Sequence, residues 1–285
     1  MSYIKTAVLL GGLAALLIFF GGVLGGRQGA IIGLVFAGVM NFGTYWFSDK
    51  IVLKMYGAKP VTAQEQPDLY ATVRVLAENA DLPMPKVYIM NKDAPNAFAT
   101  GRNPSHAAVA VTSGLMKLLS REELGGVIGH ELTHVKNRDI LISTIAATVA
   151  GAISYMAQMA MWASLFSGGR NDREGGGNPA VLIVMMIVGP LAAMIIQMAI
   201  SRSREYAADK GGADITGHPL YLAEALKKLE FYNKKIPMQK VNDATAHMFI
   251  VSPLSGGGTM RKLFSTHPPM AERIKRLEAM AKDGE

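Results

Sequence analysis

The stretch VIGHELTHVKNRDILISTIAATVAGAISYM, Val127–Met156, joins two kinds of sequence that seldom touch. Its first half is polar and carries His130, Glu131 and His134 in the pattern H-E-x-x-H. On a helix, positions i and i+4 share one face. Both imidazoles can then turn a nitrogen toward the same ion, with Glu131 within reach of a water on that ion. From Ile140 onward the stretch holds no charge at all and is suited to lipid.

The spacing alone leaves several readings open. Two histidines and a glutamate can be ordinary polar surface. Glu131 and His134 also form E-x-x-H, as in di-iron bundles, but that chemistry needs a second E-x-x-H on another helix and the chain has none. A zinc site needs a third protein ligand and an open position for water, whose proton a carboxylate such as Glu131 accepts. The stretch SRSREYAADK supplies candidates, since Glu205 and Asp209 lie four apart on one helical face. Taken alone they are a solvated acidic face beside Arg202, Arg204 and Lys210. Next to H-E-x-x-H, Glu205 becomes a candidate ligand, and Asp209 a candidate acceptor for the far nitrogen of a ligating histidine.

Composition places this site beside a bilayer. Of 285 residues, half are hydrophobic and 18% charged, below the roughly 25% charged of an average soluble protein. The apolar residues gather in windows near Ala7–Leu24, Ala30–Phe47, Ile140–Phe166 and Ala180–Ile200, none with Lys, Arg, Asp or Glu. Each is long enough to cross a hydrocarbon core of roughly 30 Å. A buried core helix is the competing reading for each. A cleaved signal peptide competes for the first, but its apolar run passes through GGVLGGRQG straight into the second. Pro190 and Gln197 interrupt the fourth.

The basic residues set the orientation. Lys5, Lys50, Lys54, Lys59, Arg121, Lys136, Arg138, Arg202, Arg204 and Lys210 flank the spans on one side, against Arg27, Arg170 and Arg173 on the other. Both polar regions then face the cytoplasm. The resulting divisions are a transmembrane hairpin at 1–47, a cytoplasmic part at 48–139 with the H-E-x-x-H helix, a second hairpin at 140–200 with an external loop at 167–179, and a cytoplasmic part at 201–285 with the third ligand. The net charge of +7 is accounted for by anionic lipid head groups, without nucleic acid. Absence of cysteine removes thiolate ligands and a cysteine nucleophile.

Local patterns predict an α+β fold, mainly helical, with a small sheet. PKVYIM and HAAVAVTSG alternate like strands, and NAFATG between them reads as extended. Thr62 with Glu65, and Ser120 with Glu123, read as capping boxes opening helices. SRSREYAADKGGADITGHPLYLAEALKKLEFY reads as two helices broken at the glycines. HPPMAERIKRLEAMAKDGE reads as a final helix that starts at its prolines and carries a basic solvated face.

Five ordered stretches, NAFATG, AVAVTSGLM, GGVIGHELTHVKNRD, SRSREYAADKGGA and LFSTHPPMAERIKRL, resemble the HtpX-type membrane zinc metalloproteases, which stand with the CaaX prenyl endopeptidases among the gluzincins. The resemblance covers nearly the whole chain. It implies a gluzincin metalloprotease domain integrated with about four transmembrane helices, with one Zn2+ per chain held by His130, His134 and Glu205. Glu131 is then the general base and Asp209 stands behind a ligand. It also implies that Asn96, Ala97, Phe98, Ala99, Thr100 and Gly101 form an edge strand that pairs with an extended substrate. His267 either stabilises an oxyanion or pins the start of the last helix, while His106, His218 and His247 are not ligands. Gly129 stands where the family commonly has Ala, a difference expected to matter only for helix stability.

The resemblance further implies polypeptide substrates, namely membrane proteins that are misfolded or damaged. It puts the chain in the plasma (inner) membrane, multi-pass, with both termini and the active site cytoplasmic. A catalytically silent membrane scaffold of the same fold is the alternative, and retention of Glu131 with all three ligands argues against it.

Overall fold

The computed structural model describes residues 2–145, 202–235, 250 and 268–283. Most of the second expected hairpin, the external loop and His267 lie outside the described residues. So does His247.

Helix α1 spans Ser2–Met55 and reverses on itself. Gly26 has φ 58, a left-handed value that glycine adopts at little cost. Beyond it the chain returns along its own first arm. A Cβ on Gly33 would collide with the backbone of Leu17. Asn41 Nδ2 donates to Leu10 O at 3.1 Å, between residues that a straight helix would hold roughly 45 Å apart. Among the described residues one helix, Gly26–Met55, is long and apolar enough to cross a bilayer; Leu10–Phe19 is a shorter apolar segment. The helix runs past Phe47 without a break, and its last turns bury Val52, Leu53 and Tyr56 against Met90, Phe98, Ala108 and Ala110.

The sheet holds β1 (Lys59–Pro60), β2 (Lys86–Met90), β3 (Ala97–Gly101) and β4 (Ala107–Thr112) in the order β1-β2-β4-β3. β2 and β4 are parallel, and the two outer pairs antiparallel. Both faces of β4 are covered, so the Ala and Val that alternate along it are buried on either side. One face meets the end of α1. On the other, Ala97, Ala99, Val109 and Val111 join the main core with α2 (Pro67–Asn79), α4 (Arg121–Lys136) and the later helices.

Helix α2 begins at Pro67, later than the Thr62 box implied. Thr62 and Glu65 do bond reciprocally, but around a turn that precedes the helix. Proline at the first helical position lacks an N–H that would go unbonded there anyway. After the short α3 (Ser113–Leu118), α4 opens as its sequence indicates, with Ser120 and Glu123 forming a complete capping box.

Helices α5 (Arg202–Thr216), α6 (Pro219–Lys235) and α7 (Met270–Asp283) complete the described fold. The expected break at the glycines falls at Gly217, φ 71, while α5 continues through Gly211 and Gly212. Those two glycines let α5 lie directly on α4. A Cβ on Gly212 would stand 2.7 Å from His130 N, and one on Gly129 3.0 Å from Gly212 O. Gly129 is therefore a contact point between helices, beyond any effect on helix propensity.

Candidate metal centre

The close approach of α4 and α5 builds the site. It brings Glu205, in the first turn of α5, in front of the two histidines of α4. Glu205 Oε2 lies 3.8 Å from His130 Nε2, and Oε1 lies 3.6 Å from His134 Nε2. One donor atom from each of the three residues falls within 4.8 Å of the others. His130 and Glu205 are buried and His134 nearly so. Two imidazole nitrogens and a carboxylate are a donor set suited to zinc with one position left open.

Each histidine is backed by a carboxylate. His130 Nδ1 is 2.9 Å from Asp209 Oδ1, so the Nδ1 proton is best assigned to that contact, which leaves the Nε2 lone pair facing Glu205. Asp209 in turn receives two bonds from Arg273, Nε to Oδ2 at 2.8 Å and Nη2 to Oδ1 at 2.6 Å. Arg273 is fully buried and also donates to Ile250 O at 3.3 Å. Ile250 N donates to the Asn96 side chain at 3.2 Å, tying this network to the start of β3. On the other side, His134 Nδ1 faces Asp139 Oδ2 at 3.5 Å, and Asp139 Oδ1 faces Arg204 Nη1 at 3.5 Å.

Charge follows from these contacts. Burial acts to raise the Asp209 carboxyl, but Arg273 outweighs it and holds the group down to about 2. Arg273 is raised likewise, because Asp209 overcomes the effect of burial. His134 without metal is pushed up to about 9, since Asp139, then Glu205 and Glu131, outweigh its burial.

Glu131, also buried, turns to the sheet, where its Oε2 accepts the Ala99 N–H at 2.8 Å. The strand starts at Ala97, one residue later than expected, and the Asn96 side chain serves the Ile250 network. The pairing register of β3 with β4 directs the N–H groups of Ala99 and Gly101 outward. Ala99 meets Glu131, and Gly101 meets Thr144 Oγ1 at 3.5 Å. Thr144 also bonds Thr100 Oγ1 at 3.0 Å. All five β3 residues are buried. His106 and His218 are exposed and stand apart from the cluster.

The buried Arg273 departs from the basic solvated face expected of the last helix. The sequence carried a signal for it: helical spacing groups Arg273 with Met270, Ile274 and Leu277 on the inward face. Asp139, Arg204 and Thr144 also stand at the site, and no motif in the sequence marks them.

Residues 63–281 match peptidase family M48. This chain belongs to that family. A protease HtpX homolog of Thermodesulfovibrio yellowstonii is 64% identical over 282 residues, with 99% of each chain covered. Another from Syntrophotalea carbinolica is 58% identical, covering 98% of this chain and 99% of its own. The crystal structure of Ste24p from S. mikatae shares the fold, with a TM-score of 0.53 at 18% identity; the match covers 97% of this chain and 64% of that one. As an M48 peptidase with a His130, His134 and Glu205 cluster, the protein is a metalloprotease. Its relatives and its long apolar helix support a membrane metalloprotease.

Proposed function

We propose that this M48 peptidase is an integral membrane endopeptidase with one Zn2+ per chain, cutting misfolded or damaged membrane proteins at the cytoplasmic face of the plasma (inner) membrane. The observation that carries the reading is the convergence of His130 Nε2, His134 Nε2 and the Glu205 carboxylate within 4.8 Å, with Glu131 one residue from His130. The relatives' description as protease HtpX homologs supports the peptidase assignment.

His130, His134 and Glu205 hold the metal, which when bound polarises the scissile carbonyl and makes a water more acidic. Glu131 accepts the proton of the attacking water and passes it to the departing amine. Asp209 fixes the His130 tautomer and Arg273 fixes Asp209. The polypeptide lies along β3 as an added strand, taking over the outward Ala99 and Gly101 N–H groups from Glu131 and Thr144. That exchange frees Glu131 as substrate arrives. The membrane reading draws on the apolar windows and on the basic residues that flank them.

The test is cleavage of an unfolded protein by detergent-purified enzyme with and without zinc, for the native chain and Glu131→Gln, with metal content measured for both. The native chain is expected to cut only with zinc, and the variant to bind zinc without cutting. If both bind zinc and neither cuts, the protein is a scaffold that retains the fold.

A further inference from the structure

Behind His134 the chain turns sharply. Helix α4 ends at Lys136, Arg138 N donates to Val135 O at 3.1 Å, and Asp139 N donates to His134 O at 2.9 Å. Arg138 takes φ 58, a left-handed value that a side-chain-bearing residue seldom adopts. The turn sets the Asp139 carboxylate beside the one His134 nitrogen that does not face Glu205. His134 Nδ1 is buried and lacks a bond of ordinary length, and its nearest carboxylate oxygen is Asp139 Oδ2 at 3.5 Å. The other Asp139 oxygen faces Arg204, which precedes Glu205 on α5. One acid thus faces one candidate ligand and the chain neighbour of another.

We propose that Asp139, held by Arg204, is a positioning residue for His134. Accepting the Nδ1–H of His134, it fixes the tautomer whose Nε2 faces the metal and raises the basicity of that nitrogen, as Asp209 does for His130. The pairing also locks the end of α4 to the start of α5, so both ligand-bearing turns share one clamp. This rests on the metal reading above, with His134 and Glu205 as ligands. A plainly structural role competes: Asp139 O accepts from Ser143 N at 3.2 Å, so the residue sits where a helix cap would. Asparagine caps helices as well as aspartate does, but carries no charge for either His134 or Arg204.

The experiment measures zinc affinity by chelator competition, together with the visible spectrum of the cobalt-loaded full-length protein in detergent and the Tm of the zinc-free protein. The variants are Asp139→Asn, Asp139→Ala, Arg204→Gln and the pair Asp139→Ala/Arg204→Gln. Weakening of zinc binding by roughly 10-fold to 100-fold is expected for the Asp139 variants. Arg204→Gln should weaken it less, and the pair no more than Asp139→Ala alone, since the arginine acts through the acid. The cobalt spectrum should shift while the zinc-free Tm of Asp139→Asn stays near native. Native zinc affinity and an unchanged cobalt spectrum in Asp139→Asn and Asp139→Ala would overturn the proposal, leaving Asp139 as a cap. A native chain that takes up no zinc, alongside an equally inert His134→Ala, would instead overturn the metal reading and this proposal with it.

Discussion

Ala99 N–H donates to Glu131 Oε2 at 2.8 Å, joining the backbone of β3 to the carboxylate inside H-E-x-x-H across 32 residues of sequence. A single edge-strand amide therefore sets where the proposed base points. Replacing it removes a donor without touching any candidate ligand. Ala99→Pro, with its fixed φ and no N–H, should lower kcat/KM by roughly 100-fold, because the resting partner of Glu131 and the backbone bond offered to the substrate are lost together. Zinc content should be native. Steady-state kinetics beside metal analysis checks this, and a variant with undiminished kcat/KM would show that the contact has no part in catalysis.

The glycines between α4 and α5 separate into two classes. A Cβ on Gly212 meets the His130 backbone at 2.7 Å and 3.0 Å, with nothing flexible to yield. Gly212→Ala should therefore push the helices apart, costing roughly 1 to 3 kcal/mol and weakening zinc binding. A Cβ on Gly129 meets Gly212 O at 3.0 Å and Thr216 Cγ2 at 3.2 Å, contacts that a shift of a few tenths of an ångström relieves. Its strain is offset by about 1 kcal/mol of helix propensity, so Gly129→Ala should be nearly neutral. Thermal denaturation of the two variants side by side decides the ranking.

Arg273 is fully buried against Asp209. Arg273→Met strands the Asp209 charge in the interior and should cost roughly 3 to 5 kcal/mol. The double variant Arg273→Met/Asp209→Leu, with no charge left to strand, should recover much of that stability. It should not recover zinc affinity, because His130 has lost its acceptor. Recovery of both properties would mean that Asp209 serves only as the counter-ion of Arg273.

Acid stability carries the same signature. The Asp209 carboxyl is held at about 2 against an ordinary 3.8, so its stabilisation is present in full above 3.8 and is lost as pH falls through about 2. The loss is on the order of 2 kcal/mol. In zinc-free protein, Tm against pH should fall more steeply across this window for the native chain than for Asp209→Asn. Equal slopes would contradict the assignment.

The sequence was most legible where local rules and tertiary demands agree. The Ser120 box opens α4 as read, β2 and β4 form where alternation and turn residues indicate, and His130, His134 and Glu205 meet as the spacing and the family resemblance implied. Reading faltered where packing overrides local preference. Glycines that look like breakers at 211 and 212 are where two helices touch, and the Thr62 box closes a turn ahead of its helix. Arg273 was hidden because charge suggests solvent, although its neighbours at helical spacing are apolar. Asp139 and Arg204 come together only after the chain has passed through the 64 residues between them, a separation no local pattern spans.

An unpaired strand edge is a hazard as well as a tool, because any extended chain can zip onto it, including the same strand of a neighbouring copy. In β3 the outward amides of Ala99 and Gly101 are already engaged by Glu131 and Thr144. Copies crowded in the plane of a bilayer therefore gain little by pairing these edges. On the proposed mode of binding, a visiting polypeptide would compete for the same amides, which would disfavour segments that make only fleeting backbone contact. An arrangement that would discourage copies from pairing would then also favour chains able to remain extended.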